Sequence, residues 1–447
     1  MQETTDLRTL YALYLEHPEV STDSRKIRDG VIFFALSGPS FDGNDFALQA
    51  LSEGAAYAVV SRAELAAQDK RCLFVPDTLA ALQELARYHR SQMALPVVAI
   101  TGTNGKTTTK ELTHAVLSRK YRVLSTQGNL NNHIGVPLTL LRLRPEHEVA
   151  IIEMGASGPG EIALLSQLAQ PTIGLITNIG LAHLQGFGSQ AGILDAKSEL
   201  PTYLLEHGGR YLLNAKDPLL SARWSDKTPY RYGNGEGDVT ATLIQAEPTL
   251  RLALQGKGER LEVQTQLVGG YNLMNALAAA SVGALLGVSL TETKEALESY
   301  HPSNNRSQLL SLANGSTLIV DAYNANPSSM QVALEGLSHW NSPHKIAILG
   351  EMRELGEASH KEHAQIIRWL EEHPTITPIL VGQDFKSATE QAPAYPAFDN
   401  VQELSEYLKS HPIPSGSTIL LKGSRGVALE QVIPIIQQSA ETEIIHG

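Results

Sequence analysis

Cysteine is almost missing from this sequence of 447 residues, and with only Cys72 no internal disulfide can form. It lies in an apolar run, Cys72-Leu73-Phe74-Val75, where a small buried hydrophobe is the expected role. Positive charge is also in deficit: 35 Lys plus Arg against 47 Asp plus Glu leave a formal charge of -12. A sequence-independent grip on nucleic acid or an anionic membrane is therefore disfavoured, and an anionic substrate must be held by local groups. No run reaches the ~18 apolar residues of a membrane span, so no membrane insertion is expected. Met1-Gln2-Glu3-Thr4-Thr5-Asp6 has neither the basic region nor the apolar stretch of a signal peptide, and a cytoplasmic location is the expectation. Internal repeats, low-complexity tracts and coiled-coil heptads are absent as well.

What is present is an ordinary globular composition, 42% hydrophobic and 18% charged, at a length that suits three domains. Residues 1–95 read as a small α/β domain, with strands at 31–36 and 58–60 and a helix at 80–90. From Pro96 the pattern becomes strand, glycine loop and helix, then recurs with strands at 149–152 and 173–177, which predicts a parallel sheet covered by helices. Gly233-Asn234-Gly235-Glu236-Gly237 and the alternation over 240–254 predict an antiparallel insertion, before a helix near Asn272. The central domain is expected over 96–300. A polar hinge, His301-Pro302-Ser303-Asn304-Asn305, precedes a third domain, 301–447, with strands at 318–320, 346–349, 379–381 and 418–421. The fold class is thus α/β with three domains, the last Rossmann-like.

The strongest local signal is Val97-Val98-Ala99-Ile100 followed by Thr101-Gly102-Thr103-Asn104-Gly105-Lys106-Thr107-Thr108. An apolar strand entering a glycine loop before a helix lets backbone N–H groups and the helix terminus close on phosphate. Lys106 can neutralise phosphate charge, and the Thr107 hydroxyl can bind magnesium. Ile100 stands where the common G-x-x-x-x-G-K-[ST] pattern has its first glycine, with Gly102 appearing instead. ATP and Mg2+ are the expected cofactors. Glu153 follows one apolar strand and His183 another, after Thr177-Asn178, so both could reach the same sheet edge and complete magnesium sites.

These segments resemble the Mur ligase family over about residues 21–432. The ATP loop is similar to the family's, as are Glu153-Met154-Gly155 and Thr177-Asn178-Ile179 with His183. Ala196-Lys197-Ser198-Glu199 resembles its modified-lysine segment, implying a carbamate on Lys197 that helps Thr107, Glu153 and His183 hold metal. Tyr271-Asn272-Leu273-Met274-Asn275 resembles a stretch whose asparagines contact adenine, although Tyr271 replaces the usual histidine. Arg306 looks like the hinge arginine that reaches phosphate, and Asp321 like the acidic group near ribose. The resemblance makes Lys106, Asn178, His183, Lys197 and Arg306 the expected catalytic groups.

Thr22-Asp23-Ser24-Arg25 and residues 30–46 resemble the family's UDP-sugar-binding domain, implying substrate contacts from Ser24 and Arg25. Taken alone, Asp23-Ser24-Arg25 reads rather as a turn with a surface ion pair, and it is the match over the whole domain that turns the reading toward substrate. Gly128-Asn129-Leu130-Asn131-Asn132, Asp321-Ala322-Tyr323-Asn324-Ala325-Asn326 and Lys422-Gly423-Ser424-Arg425-Gly426 look like the member that adds D-alanyl-D-alanine to a UDP-N-acetylmuramoyl-tripeptide. Asn129, Asn132, Tyr323, Asn324 and Asn326 are the substrate contacts this implies. The Asp-Asn-Pro-Arg motif of the preceding cell-wall ligase does not occur. The implied chemistry is ATP-driven amide formation through an acyl phosphate, by a monomer whose last domain receives the amine. Two alternatives remain, a ligase of the family that adds a single amino acid and a non-catalytic ATP-binding switch or scaffold. His360 and His363 are weak candidates for the amine's general base, an ordinary helix face being the competing reading.

Overall fold

The computed structural model describes residues 4–228, 230–233, 235–303, 305–389 and 395–446. Asn234 of the expected glycine turn and Asn304 of the expected hinge lie outside the described residues, as do Met1, Gln2 and Glu3. The chain forms a four-stranded sheet, a six-stranded parallel sheet with a three-stranded antiparallel insertion, and a second six-stranded sheet.

The first sheet runs Val20–Ser21, Ile32–Phe34, Tyr57–Val60 and Cys72–Phe74, all parallel. Cys72 is buried as the apolar run requires. The helix Thr78–Ser91 begins where the Asp77 carboxylate accepts from the Leu79 and Ala80 amides, satisfying donors a helix start leaves open. Its buried face, with Leu82, Leu85 and Ala86, shares one core with Val136, Leu140, Leu165 and Leu168 of the following domain. Arg90 fastens the joint by donating from Nε to the Ala169 carbonyl (3.0 Å) and from Nη2 to that of Gln170 (3.0 Å). Apolar packing is thus continuous across residue 95.

In the central sheet the order is Arg231–Tyr232, Arg210–Asn214, Ile173–Ile176, Val97–Thr101, Val149–Glu153, Val123–Ser125. The strand Val97–Thr101 and its two neighbours are buried throughout, which is why they read as unbroken apolar runs rather than alternations. Strand order reverses at Val97–Thr101: the chain first goes to one side of it, then to the other. A crevice opens at the carboxyl end of such a strand, and the glycine loop begins there. The insertion pairs Val239–Gln245, Arg251–Gly256 and Glu259–Gln264 antiparallel, and the helix Asn272–Leu285 returns to the main sheet.

The third sheet has the order Gln308–Ser311, Thr317–Asp321, Ser417–Lys422, His344–Gly350, Ile376–Val381, Ala397–Phe398. Its first strand runs antiparallel to the next, a reversed edge that the sequence reading did not anticipate. Gln308–Ser311 is short and only half-buried at three of its positions, so it carries little periodic signal. No helix among the described residues is long and apolar enough to cross a membrane.

Candidate active site

The central and third domains bring one cavity of about 750 Å³ together at the end of Val97–Thr101. It is lined by the glycine loop, Glu153, Asn178, His183, Tyr271, Asn272, Asn275, Arg306, Asp321, Tyr323, Asn324 and Asn326. Most of the sequence-predicted residues therefore converge.

Loop geometry depends on two glycines. Gly102 has φ +145° and Gly105 φ +78°, and a Cβ on the first would overlap the Thr177 hydroxyl, on the second the Asn275 amide. Thr103 N donates to the Asn178 carbonyl (3.0 Å), Asn104 N to Asn178 Oδ1 (3.1 Å), and Asn178 Nδ2 to the Asn104 carbonyl (3.0 Å). Asn178 thus clamps the loop from the neighbouring strand end. Lys106 Nζ donates back to the Gly102 (2.8 Å) and Thr103 (3.1 Å) carbonyls, poised at the loop's centre. Burial pulls its pKa below the ordinary 10.5, opposed by the Glu153 carboxylate and assisted by Arg306. Thr108 also lines the cavity.

Glu153 ends its strand directly beside Ile100, so sheet register delivers a carboxylate to the loop. Its Oε1 accepts from Thr107 Oγ1 (3.1 Å) and Asn131 Nδ2 (2.8 Å). Its Oε2 is buried and accepts no hydrogen bond, the state of a carboxylate that has room for a cation. Asn131 was missed as a site residue; its only signal was the asparagine cluster around it. Among the described residues no three His, Cys, Asp or Glu side chains form a metal cage. Magnesium commonly relies on one or two carboxylates plus phosphate oxygens, for which Thr107 and Glu153 are suited.

His183 takes a left-handed backbone conformation, φ 50°, and its Nδ1 lies against the Glu354 carboxylate from the third domain. Contact with His183 holds Glu354 below its ordinary pKa of 4.5. Lys197 is buried at 2% exposure, with its ammonium position 5.6 Å from the Phe187 ring centroid. Burial, then the nearby Lys106 charge, drive its pKa well below 10.5 against the pull of Glu161. Carbon dioxide adds to the unprotonated form of an amine, the form that burial favours.

Asn272 and Asn275 stand on the first turn of their helix and are both buried. Asn275 Nδ2 donates to Asn272 Oδ1 (2.8 Å), Asn275 Oδ1 accepts from Thr109 Oγ1 (3.2 Å), and Asn272 Nδ2 donates to the Val268 carbonyl (2.7 Å). Tyr271, in the place of the histidine, shares a hydrogen bond with Ser307 (2.7 Å).

On the third-domain wall Asp321 and Lys422 are register partners on adjacent strands, and Lys422 Nζ donates to Asp321 Oδ2 (2.6 Å). The Arg306 guanidinium lies 3.7 Å from the Tyr323 ring centroid. Asn326 caps the helix Pro327–His339, accepting from Ser329 N (2.9 Å), and also donates to Asn104 Oδ1 (2.8 Å) across the domain boundary. Leu181 N donates to Ser328 Oγ (2.7 Å) beside it. Asn324 Oδ1 accepts from Ala325 N (2.9 Å) while its residue faces the cavity.

Asn129 and Asn132 reach the cavity, and Asn132 Oδ1 also accepts from Gly135 N (2.8 Å). Ser24 and Arg25 do not line it. Arg25 makes a two-pronged contact to Asp23 (2.8 and 3.0 Å) in a surface turn, holding that carboxyl down to about 2. His363 is fully buried, its Nε2 accepting from Met352 N (2.9 Å) and Nδ1 donating to the Ser359 carbonyl (2.8 Å). It is a satisfied core histidine, and neither it nor exposed His360 lines the cavity.

Comparison with known proteins gives three adjacent family matches: the Mur ligase family catalytic domain over residues 18–90, the Mur ligase middle domain over 100–283, and the Mur ligase glutamate ligase domain over 305–425. The UDP-N-acetylmuramoyl-tripeptide–D-alanyl-D-alanine ligase of Bacillus subtilis is 35% identical over 431 residues, covering 94% of this chain and 93% of its own. The enzyme of that name from Escherichia coli is 36% identical over 428 residues, covering 94% of each. Among solved structures, MurF from Acinetobacter baumannii superposes with a TM-score of 0.85 at 36% identity, covering 94% of this chain and 93% of that one. MurF ligase from Thermotoga maritima in complex with ADP gives 0.83 at 27%, covering 98% and 100%.

Proposed function

Because this chain belongs to the Mur ligase family, we infer that it is the ligase that joins D-alanyl-D-alanine to the terminal carboxylate of UDP-N-acetylmuramoyl-tripeptide, converting ATP to ADP and phosphate. The likeness along nearly the whole chain to enzymes of that name carries the choice of substrates. Residues 1–95 are assigned to the UDP-sugar, with Ser24 and Arg25 at its surface turn. Residues 96–300 hold ATP, and 301–447 receive the amine.

A carboxylate cannot be displaced by an amine in water without activation. Its attack on the γ-phosphate gives an acyl phosphate, and attack by the amine on that carbonyl then releases phosphate. Phosphoryl transfer asks for charge neutralisation and in-line placement. Lys106 and Arg306 supply positive charge, Asn178 fixes the loop, and Thr107 and Glu153 stand ready for magnesium. Bound magnesium would offset the repulsion between the attacking carboxylate and the phosphate. His183 would join the metal-binding set by exchanging its contact with Glu354. Lys197, buried and inclined to be neutral, can add carbon dioxide, losing one proton to become a carbamate anion facing Lys106. Asn272 and Asn275 take adenine, Asp321 the ribose, and Asn129, Asn132, Tyr323, Asn324 and Asn326 the substrate side of the cleft.

We take the enzyme to act as a monomer. Dependence on ATP and a nucleotide-linked precursor supports work in the cytoplasm. The test is incubation with ATP, magnesium, UDP-N-acetylmuramoyl-tripeptide and D-alanyl-D-alanine, with the pentapeptide product read by mass spectrometry. Omitting either acceptor should stop stoichiometric ADP formation. Efficient coupling of a single amino acid in place of the dipeptide would transfer the assignment to another member of the family, and ATP binding without any coupling would leave a switch or scaffold.

A further inference from the structure

The connection between the central and third domains has an uncommon backbone. Arg306 stands between Asn305 at φ 55° and Ser307 at φ 48°, two residues with side chains that are held in the left-handed region. Such conformations are sparsely populated and persist only where the surroundings over-determine them. Asn305 is held locally: its N–H donates to Gln308 Oε1 (3.0 Å), and Gln308 Nε2 donates to the Pro302 carbonyl (3.1 Å). Ser307 is held from the central domain. Its hydroxyl shares a hydrogen bond with that of Tyr271 (2.7 Å), 36 residues earlier in the chain.

Tyr271 is placed for that contact. It stands one residue before the helix Asn272–Leu285, and Gly269, at φ +85°, leaves room for its ring, since a Cβ there would overlap the ring carbons. Burial, with the Asp321 charge adding to it, pushes the Tyr271 pKa above the ordinary 10.0, so the hydroxyl keeps its proton. Tyr271 and Ser307 both line the main cavity, together with Asn272, Asn275 and Arg306. One pair of hydroxyls thus ties the helix start assigned to adenine to the turn that carries Arg306. The Arg306 guanidinium lies 3.7 Å from the Tyr323 ring centroid, and its charge reaches Lys106. A change of backbone direction at Ser307 would be multiplied along the arginine side chain and move its charge away from the loop.

We propose that Tyr271 is a positioning residue: through Ser307 it holds the connection in its left-handed turn, so that Arg306 meets the nucleotide phosphates while Asn272 and Asn275 meet the base. The ligase reading above supplies the reaction that Arg306 serves, whereas the hydroxyl pair itself acts on nucleotide binding. Tyr271 acts through Ser307 and Arg306 rather than on a reacting atom. Phenylalanine in its place keeps the ring and loses the hold.

The experiment is calorimetric titration of the full-length protein with magnesium and adenylyl imidodiphosphate, a non-hydrolysable ATP analogue. Wild type, Tyr271→Phe, Ser307→Ala and the double variant are compared, and the same substitutions are repeated in an Arg306→Ala background. Each single variant should bind the analogue about threefold to tenfold more weakly, the usual loss for one hydrogen bond. The double variant should lie within about twofold of either single one, because both remove the same contact. In the Arg306→Ala background Tyr271→Phe should change affinity by less than about twofold, since its effect passes through Arg306. A residue that only supports the fold, or one that touches the nucleotide itself, would weaken binding equally with or without Arg306. Unchanged affinity in both single variants, additive losses in the double variant, or an undiminished loss in the Arg306→Ala background overturns the proposal. If Tyr271→Phe does not fold, Ser307→Ala, with and without Arg306, decides alone. Wild type that makes no pentapeptide in the ligation assay overturns the ligase reading, while the binding cycle still decides the positioning role.

Discussion

Replacing Gly105 by alanine should damage nucleotide binding in a way whose two causes can be separated. The residue sits at φ +78°, where an L side chain is strained by about 1–2 kcal/mol. The new methyl would also overlap the Asn275 amide and displace it from Thr109 (3.2 Å) and Asn272 (2.8 Å). At about 0.5–1.5 kcal/mol for each hydrogen bond, the second cause adds roughly 1–3 kcal/mol. The sum is about 2–5 kcal/mol, or roughly 30-fold to several-thousand-fold in ADP affinity if the free loop relaxes and binding must restore it. Whatever fraction does not relax must appear as lost stability instead.

Calorimetric titration with ADP, together with urea unfolding, measures both parts. In the Gly105→Ala/Asn275→Ala protein the overlap is gone, so ADP affinity should fall by no more than about twofold below that of Gly105→Ala alone, because the two substitutions share one contact. An ADP affinity within about threefold of wild type with unchanged unfolding, or strictly additive losses in the double variant, would refute the reasoning.

Lys106→Ala should lower kcat by at least about a hundredfold, and saturating ATP should not restore it, because the lost contact is to charge in the transition state; full recovery at high ATP contradicts that role. Lys197→Ala should fold, as judged by ADP binding, yet ligate poorly, and a small carboxylic acid should revive it while doing nothing for Lys106→Ala; wild-type activity without the acid rules out the carbamate. Asp42 offers a control outside the catalytic cleft, since hydrogen bonds from Ser37 and Asn44 hold its carboxyl below the ordinary 3.8. The native state then binds fewer protons than the unfolded chain in that range, so its contribution is full above about 3.8 and fades as pH falls. Thermal melting should show Asp42→Asn less stable than wild type at pH 7, with the gap narrowing toward pH 2.

Features whose causes are local were legible before any coordinates. The glycine loop announces itself because positive φ, a phosphate-sized nest and a following helix are all encoded within a few consecutive residues. The central strands are legible because burial on both faces leaves them apolar up to their last residues, Thr101 and Glu153. The edge strand Gln308–Ser311 is not, because half-burial gives it no such pattern. Contacts such as Asn131 to Glu153, Glu354 to His183 and Lys422 to Asp321 depend on which strand ends become neighbours, and that is set by sheet order and register.

The asparagines show a different limit. The family resemblance pointed to Asn178, Asn272, Asn275 and Asn326 at the cleft, but each already serves the protein there by clamping a loop, bracing a helix or joining two domains. An amide offers acceptor and donor at once, so a side chain can hold the scaffold with one end and meet a ligand with the other. Asn275 Oδ1 accepts from Thr109 while its Nδ2 donates to Asn272, which leaves adenine only a second lone pair or a second N–H unless the pair rearranges. Removing Asn275 should therefore disturb the loop as well as the base contact, and its effect on ADP binding cannot be assigned to adenine without the Gly105 double variant beside it.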